Sequence, residues 1–321
     1  MSLQTSEENV DFPVMDISQL PYEFDDEDLN HLQDHELVRK VREACKEWGF
    51  FFVVNHGIPA DLLEDVMSQI QQLCAMPSEI KAKASTVSYR APPPWHLSFD
   101  LPNLPQLDSV QEMSDKVWPV DGNPNFCEKI GTYGIKVHHL SRKISKIILA
   151  SLGLDIKTFY HSDFEKCTSS IAINSYLSNG NSMEEEIMHS HTDTGCLTIL
   201  HNDNQQGLQV LSKQGKWLDV NPLPHSFLVI VGDSLKAWSN GRCQSLAHRV
   251  VYKGWKHRIS LATSFYFPYD HKIWASEELV DDNHPRLYKP YTYSEYRLNY
   301  HTIMFNKEAN LVEFLDVFAG I

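Results

Sequence analysis

One ordered set of polar residues in the second half of the chain constrains the fold more than any other feature. A His-x-Asp pair, His191 and Asp193, is followed by a distant His248 and then by an Arg-x-Ser pair, Arg258 and Ser260. Residues two apart on a β-strand point to the same face of a sheet. Each pair therefore predicts a strand with two functional side chains on one face, and His248 predicts a third strand opposite His191.

The chemistry of this set indicates a metal site with a co-substrate. Two imidazoles and one carboxylate on one face of a metal leave three coordination positions open, as in the non-haem Fe(II) oxygenases. An arginine and a nearby hydroxyl can hold the far carboxylate of 2-oxoglutarate, the arginine through a bidentate pair of hydrogen bonds. A His-x-Asp pair alone is weak evidence, since chance pairs are expected among 16 histidines and 42 acidic residues. The complete set predicts an Fe(II)- and 2-oxoglutarate-dependent oxygenase, with the two histidines and the aspartate on the metal and the arginine and serine on the co-substrate.

Three further residues adjoin this set. Asn174 and Tyr176 form another same-face pair, and the tyrosine hydroxyl is placed to reach the co-substrate carboxylate. His189 creates an alternative pair with His191, which would leave Asp193 outside the metal coordination. We favour His189 as a residue at the rim of the site.

The strand that carries Arg258 and Ser260 also predicts part of a substrate pocket. The two-residue period places Ala262, Ser264 and Tyr266 on the same wall as the arginine and the serine. Two of these three side chains are small, which leaves volume for a substrate beside the metal.

The proline-rich stretch 86–126 predicts a long irregular loop. Long loops in compact domains are often functional lids, so we expect this stretch to cover the mouth of the pocket. Trp95 and Phe99 are its candidate substrate contacts.

The spacing of apolar residues predicts two regions of different character. In the first half, it predicts helices over 37–48, 59–76 and 131–152 and a buried strand over 50–54. After residue 168, it predicts short strands near 169–177, 196–201, 207–211, 216–220, 226–231, 235–238, 246–252 and 258–267. Eight short strands at this spacing predict an all-β core, a distorted double-stranded β-helix or cupin-like jelly roll, with flanking α-helices mainly from the N-terminal half.

The predicted domain organisation follows from this division. It consists of a disordered tail over 1–11, a mostly helical region over 12–167 that contributes strands to the core, the jelly-roll core over 168–305, and a C-terminal tail helix over 306–321.

The composition argues against several classes of partner. The formal net charge is −14 and no basic stretch stands out, which disfavours nucleic acid and anionic membranes. The longest apolar run, 227–231, is too short to span a bilayer, and the N-terminus lacks the pattern of a secretory signal. The six cysteines are scattered without a CxxC pair, which is typical of reduced thiols. We therefore expect a soluble cytoplasmic enzyme that acts on a small molecule as a monomer or weak homodimer.

The segment Trp48–Ile58, WGFFFVVNHGI, resembles the N-terminal signature of the plant soluble Fe(II)/2-oxoglutarate-dependent dioxygenases. The C-terminal half is similar to the same family throughout, including the polar set and Gly232-Asp233. The resemblance covers roughly residues 12–305. It implies a distorted jelly-roll core, ferrous iron, 2-oxoglutarate and O2, with ascorbate in support and succinate and CO2 released.

Three segments, 88–92, 238–242 and 284–290, resemble the auxin-oxidising branch of this family and its specialised-metabolite relatives. The branch implies hydroxylation of a C–H bond in a small organic plant metabolite such as an auxin-like hormone. One position departs from the family, because Ser264 stands where relatives often carry a phenylalanine against the substrate. This departure leaves room for a bulkier skeleton such as an alkaloid or a terpenoid, and both substrate classes stay open.

Two other functions are compatible with the same fold. An iron halogenase needs a small residue in place of the carboxylate ligand, and Asp193 argues against it. A non-catalytic small-molecule-binding protein would be expected to lose metal ligands, and the complete set argues against that as well.

Overall fold

Two β-sheets enclose the central cavity of the protein. The computed structural model describes residues 11–21, 36–84, 96–177, 185–254, 257–304, 312 and 314–321. A seven-stranded sheet and a four-stranded sheet both contribute side chains to the wall of this cavity. This is a jelly-roll arrangement, and the predicted fold is confirmed.

The strands pair in an almost entirely antiparallel pattern. In chain order they are β1 (Val14–Asp16), β2 (Phe50–Val54), β3 (His96–Leu104), β4 (Thr168–Leu177), β5 (Glu186–His191), β6 (Leu197–Asn202), β7 (Leu208–Leu211), β8 (Trp217–Asp219), β9 (Phe227–Val231), β10 (His248–Val251), β11 (His257–Tyr266), β12 (Lys272–Ile273) and β13 (Tyr291–Thr292). The larger sheet has the order β1-β2-β9-β6-β11-β4-β3, the smaller sheet has the order β5-β10-β7-β8, and β12 pairs with β13. β1 and β2 are parallel.

Helices flank the sheets from both halves of the chain. They are α1 (Glu36–Glu47), α2 (Ala60–Ala75), α3 (Ser78–Ala84), α4 (Asp108–Val117), α5 (Pro124–Ser151), α6 (Ile156–Phe159), α7 (Asp233–Trp238), α8 (Tyr293–Met304) and α9 (Phe314–Ala319). Because α7, α8 and α9 follow residue 168, the helices are not restricted to the N-terminal half as strongly as the sequence predicts.

Strand β6 shows how alternation divides side chains between the core and the cavity. Leu197 and Ile199 are fully buried in the main hydrophobic core, together with apolar side chains of α5. Thr198 and Leu200 line the cavity instead. Since successive side chains of a strand point to opposite faces, helices cover one face of the larger sheet and the cavity lies against the other.

Seven of the eight strands predicted after residue 168 are present, with ends within two residues of the predicted ones. The predicted strand at 235–238 is wrong, because these residues belong to α7. Leu235 and Ala237 alternate as in a strand, but a run this short cannot distinguish a strand from a helix. The structure also adds β5, whose charged sequence does not predict a strand.

The predicted loop over 86–126 contains two regular elements, β3 and α4, while residues 85–95 lie outside the described part. Pro102 lies within β3. A proline lacks the N–H that a central strand needs, but β3 is an edge strand of the larger sheet, where that loss is tolerated. The pairing of β3 with β4 is irregular between Leu101 and Leu104. The loop prediction is therefore wrong for these two elements.

The ends of two other predicted elements also differ. Helix α5 begins at Pro124 rather than near Gly131, because the Asn123 side chain accepts a hydrogen bond of 2.9 Å from the Phe126 N–H and caps the helix. The tail helix is described only as α9. The predicted disordered tail lies outside the described residues except for Asp11.

All six cysteines are unpaired thiols, as their spacing predicts. Within the described ranges, none of the helices has both the length and the apolar character needed to cross a membrane.

Candidate metal and co-substrate site

The two predicted histidine ligands meet on neighbouring strands of the smaller sheet. His191 at the end of β5 is paired in register with His248 at the start of β10, and their ring centroids lie 4.4 Å apart. Asp193 follows two residues after β5, and its Oδ1 lies 3.8 Å from Nε2 of His191 and 3.7 Å from Nε2 of His248. In the part of the chain that the structure describes, this is the one cluster of three such side chains able to hold a metal ion.

The orientation of both rings suits metal binding. Nδ1 of His191 donates to the carbonyl oxygen of His189 at 2.7 Å, and Nδ1 of His248 faces the carbonyl oxygen of Leu246 at 3.4 Å. A proton held at Nδ1 leaves the lone pair at Nε2, the atom that faces the aspartate. Burial, aided by the neighbouring His248, lowers the pKa of His191 to about 4, so that ring is neutral at pH 7, as a ligand must be.

One oxygen of the aspartate has no partner among the described residues. Oδ2 of Asp193 is buried and accepts no hydrogen bond from them. A buried carboxylate oxygen without a partner is costly unless a cation or a hydrogen bond compensates it. The donor set of two imidazole nitrogens and a carboxylate therefore fits a divalent iron ion.

His189 lies apart from this cluster. Its side chain is 62% exposed, and Nδ1 is 2.9 Å from Oε1 of Glu186. The structure therefore brings Asp193, and not His189, together with His191.

A buried carboxylate supports the turn that carries the ligands. Oδ2 of Asp233 accepts hydrogen bonds from the hydroxyls of Thr192, at 2.8 Å, and Tyr296, at 2.6 Å. The Asp233 N–H donates to the carbonyl of Asp193 at 2.7 Å, and the Tyr300 hydroxyl donates to the carbonyl of Thr192 at 3.2 Å. Thr192, which lies between the proposed ligands His191 and Asp193, is thus held in place by contacts with both α7 and α8.

Gly232, just before Asp233, permits this close approach. A Cβ at this position would lie 2.3 Å from the carbonyl oxygen of Gly195 and 2.9 Å from that of Asp193. In the sequence, Gly232-Asp233 stands out only as part of the family resemblance, and the supporting role of Asp233 is not predicted. The available signal was a Gly-Asp pair placed directly after the fully apolar strand β9.

The predicted co-substrate residues lie side by side on two adjacent strands. β4 and β11 pair so that Tyr176 is opposite Arg258 and Asn174 is opposite Ser260. Arg258 is only 1% exposed, and its guanidinium lies 5.4 Å from the Tyr176 ring centroid. Its Nε and Nη1 have no hydrogen-bond partner in the described parts of the chain. A buried guanidinium with free donors is suited to a bidentate carboxylate. Burial raises the pKa of Tyr176 to about 12, so its hydroxyl keeps its proton.

One cavity of about 520 Å³ contains both groups of residues. Ten of the twelve predicted site residues line it: Asn174, Tyr176, His191, Asp193, His248, Arg258, Ser260, Ala262, Ser264 and Tyr266. Trp95 lies outside the described residues. The structure also adds wall residues that were not predicted, among them Asp100, Ser170, Thr198 and Arg297. Their positions depend on strand register and helix docking, which local spacing does not encode.

Phe99 does not line the cavity, so its prediction as a pocket residue is corrected. It is fully buried in the main core with Leu101. Ser98 and Asp100 of the same strand face the cavity instead. The alternation of β3 therefore points the phenylalanine to the helical side of the sheet.

Comparison with known proteins identifies the family. Residues 167–268 match the sequence profile of the 2OG-Fe(II) oxygenase superfamily, and residues 12–115 match that of the N-terminal region of a non-haem dioxygenase in morphine synthesis. Flavanone 3-dioxygenase 2 of Oryza sativa subsp. japonica is 34% identical over 278 residues, which are 81% of this chain and 78% of the relative. The chain belongs to the 2OG-Fe(II) oxygenase superfamily.

Two solved structures extend this likeness over the whole fold. The rice dioxygenase for auxin oxidation, DAO, has a TM-score of 0.79 and 28% identity, and the match covers 97% of this chain and 100% of DAO. JOX2, solved in complex with 2OG, Fe and JA, has a TM-score of 0.77 and 27% identity over 96% of this chain and 89% of JOX2. As a member of this family, the protein is a 2-oxoglutarate-dependent dioxygenase, an oxidoreductase that uses Fe(II), 2-oxoglutarate and O2.

Proposed function

We propose that this dioxygenase hydroxylates an unactivated C–H bond of a small organic metabolite and releases succinate and CO2. The observation that carries the proposal is a pair of uncompensated buried groups in one cavity. Among the described residues, Oδ2 of Asp193 and the Nε and Nη1 donors of Arg258 lack partners, and each group matches one component of the reaction. The aspartate suits the metal, and the arginine suits a carboxylate.

The residues have distinct roles in this proposal. His191, Asp193 and His248 would hold Fe(II), and a set of three protein ligands would leave room for the co-substrate and O2. When bound, the iron with 2-oxoglutarate and O2 supplies the oxidising power for C–H hydroxylation. Arg258 binds the far carboxylate of 2-oxoglutarate through two hydrogen bonds, and Ser260 donates a further one.

The walls orient the substrate and exclude water. Asn174 and Tyr176 complete the co-substrate end, where the protonated tyrosine hydroxyl can donate to a carboxylate. Ala262, Ser264 and Tyr266 form the substrate wall, and the first two leave volume near the metal. A cavity of about 520 Å³ is of the size that takes ligands of a few hundred daltons.

The substrate proposed from the resemblance is a plant metabolite of the auxin, alkaloid or terpenoid type. Two relatives are named for their action on flavanones and on auxin, and JOX2 was solved with JA. We also propose that the protein acts in the cytoplasm, because unpaired thiols persist in reducing compartments, and that it is a monomer or weak homodimer.

The direct test is turnover of 2-oxoglutarate. Purified protein with Fe(II), O2 and labelled 2-oxoglutarate should form succinate and CO2 in a ratio of one to one, and a hydroxylated product should appear when the substrate is present. Turnover by the wild type in the presence of chloride tests the halogenase alternative, which expects a chlorinated product instead of a hydroxylated one. Absence of succinate formation by the iron-loaded protein with a broad metabolite panel would support the non-catalytic binding alternative.

A further inference from the structure

The cavity has an arginine at each end. Arg258 lies near the start of β11, deeply buried at the co-substrate end. Tyr266 ends the same strand, eight residues further along, which corresponds to about 26 Å of extended chain. At that second end the wall is completed by Tyr269 and by Arg297 of α8. The proposed function uses the first arginine and assigns no role to the second.

Arg297 is held in place by aromatic and polar contacts. Its Nη1 donates to the Tyr269 hydroxyl at 2.8 Å, and its Nη2 is 3.2 Å from Nε2 of His301, one helical turn away. Its guanidinium carbon lies 5.6 Å from the ring centroid of Tyr269 and 5.9 Å from that of Tyr293. These contacts fix the guanidinium at the wall of the cavity.

The rings around this arginine form a rigid aromatic mouth. Tyr266 stacks on Tyr293 with centroids 5.4 Å apart and ring planes at 24°, and both rings contact Tyr269. Such a mouth can cover a planar or alicyclic skeleton, while a guanidinium at its edge offers parallel N–H donors. A carboxylate is the group that matches a guanidinium in both charge and geometry.

We propose that Arg297 is a specificity-determining residue that binds a carboxylate of the substrate, so that the enzyme acts on small organic acids. This inference rests on the proposed function, because it takes the cavity as the substrate pocket. It favours an acidic auxin-like substrate over a basic alkaloid or a neutral terpenoid. The arginine is positioned before substrate binding, which reduces the entropic cost of recognition.

The alternative hypothesis is that Asp100, in the same cavity, binds a positively charged group of the substrate. This carboxylate lines the wall from edge strand β3, opposite Ala172 of β4. Ala172 is in turn opposite Ala262 of β11, which places Asp100 two strands, or about 10 Å, from the β11 wall. A substrate with an ammonium group would depend on this carboxylate and not on Arg297.

Calorimetric titration distinguishes carboxylate binding by Arg297 from ammonium binding by Asp100. Anaerobic enzyme loaded with Fe(II) and 2-oxoglutarate is titrated with two sets of compounds. Within each set the aromatic skeleton is the same, and the polar end group is an anion, a neutral amide or a cation. One set is indole-3-acetic acid, indole-3-acetamide and tryptamine, and the other is 3-phenylpropionic acid, its amide and 3-phenylpropylamine. The proteins are the wild type, Arg297→Gln, Arg297→Lys, Asp100→Asn and, as a control outside the cavity, Lys40→Gln.

The wild type should bind the acid of at least one set about tenfold more tightly than its amide, the difference expected for one charge-assisted contact. Arg297→Gln should abolish this preference, and Arg297→Lys should keep part of it because the charge remains without the fork. Asp100→Asn and Lys40→Gln should keep the full preference. An acid-to-amide ratio near one in the wild type, no acid binding, or an unchanged ratio in Arg297→Gln overturns the inference, as does tightest binding of an amine that Asp100→Asn abolishes.

Two controls keep the result interpretable. If Arg297→Gln fails to fold, the wild-type ratio and Arg297→Lys still decide the question. Succinate formation by the wild type tests the proposed function separately. If no succinate forms, the proposed function is contradicted. If succinate forms but the acid and its amide bind equally well, only the inference about Arg297 is contradicted.

Discussion

The hydroxyl of Thr192 donates a hydrogen bond of 2.8 Å to Oδ2 of Asp233, which links the turn between two proposed metal ligands to the first residue of α7. Asp233 does not line the cavity, and the same oxygen also accepts from Tyr296. Its burial raises the pKa of this carboxyl to about 6. The buried Asp233 carboxyl therefore orients Thr192, a residue that we do not expect to contact either the metal or the substrate.

Replacing this acid should weaken metal binding without removing any ligand. We expect Asp233→Ala to raise the Kd for Co(II), used in place of Fe(II), by about 10- to 100-fold, the usual effect of losing a group that orients a ligand. Asp233→Asn retains an acceptor and should recover part of the affinity. Spectroscopic titration measures both values, and a folded alanine variant with wild-type affinity would show that the turn is fixed by other contacts.

The predicted ligand set can be tested with two neighbouring histidines. His248→Ala removes one of three proposed ligands and should abolish stoichiometric iron binding and turnover. His189→Ala removes an exposed imidazole that points towards Glu186, so it should leave both unchanged. Metal analysis after dialysis checks the two variants together. Iron loss in His189→Ala with retention in His248→Ala would reverse the assignment.

Arg258→Lys should impair co-substrate binding. Lysine keeps the charge but loses the planar fork, and the KM for 2-oxoglutarate should rise at least tenfold, a loss of about 1.4 kcal/mol. Arg286→Lys, outside the cavity, is the matched control. Initial rates at varied 2-oxoglutarate measure the effect, and an unchanged KM in Arg258→Lys would assign the carboxylate to another cation.

Ser264→Phe should narrow the substrate pocket. Ser264 lies between Ser170 of β4 and Thr198 of β6, so three hydroxyls cross the wall in one row. A phenyl ring at position 264 would project into the cavity space beside these three small side chains. We expect kcat/KM for a bulky substrate to fall at least about tenfold more than kcat/KM for a small one. Equal effects on both substrates would mean that bulky groups lie elsewhere in the cavity.

Buried His138 predicts a dependence of stability on pH. Its ring contacts Ser169 at 2.9 Å, and burial, with Arg142 and His139, lowers its pKa from 6.5 to about 4. Below pH 6.5 the unfolded chain takes up a proton that the folded chain does not, so the free energy of unfolding decreases as the pH falls from about 6.5 towards 4.

His138→Gln should therefore lose less stability than the wild type between pH 7.5 and pH 5. Urea unfolding at the two pH values measures the difference. The exposed His161→Gln serves as control and should follow the wild type. A wild-type pH response in His138→Gln would show that the ring is protonated in the folded state.

The sequence predicts the parts of this site that depend on local spacing. The same-face pairs, the strand opposite His191 and the wall beyond Ser260 follow from the two-residue period of β-strands. Asp233 and Arg297 could not be found in this way, because α7 and α8 reach the site through docking that leaves no periodic signal. The prediction that Phe99 faces the pocket is wrong for a related reason. Prolines such as Pro102 make the segment look like a loop, so its sequence does not predict the edge strand that turns Phe99 towards the core.

The contacts of Tyr296 and Tyr300 with the ligand turn also bear on where the chain can be shortened. The segment matched by the superfamily profile ends at residue 268, and it contains all three proposed ligands and both residues of the Arg-x-Ser pair. A protein ending there would keep every group proposed to contact iron or co-substrate. It would lose the hydrogen bonds from Tyr296 to Asp233 and from Tyr300 to Thr192, which support the turn that carries Asp193. A stop codon between codons 268 and 296 should therefore abolish activity, even though the stretch that it removes contributes no metal ligand.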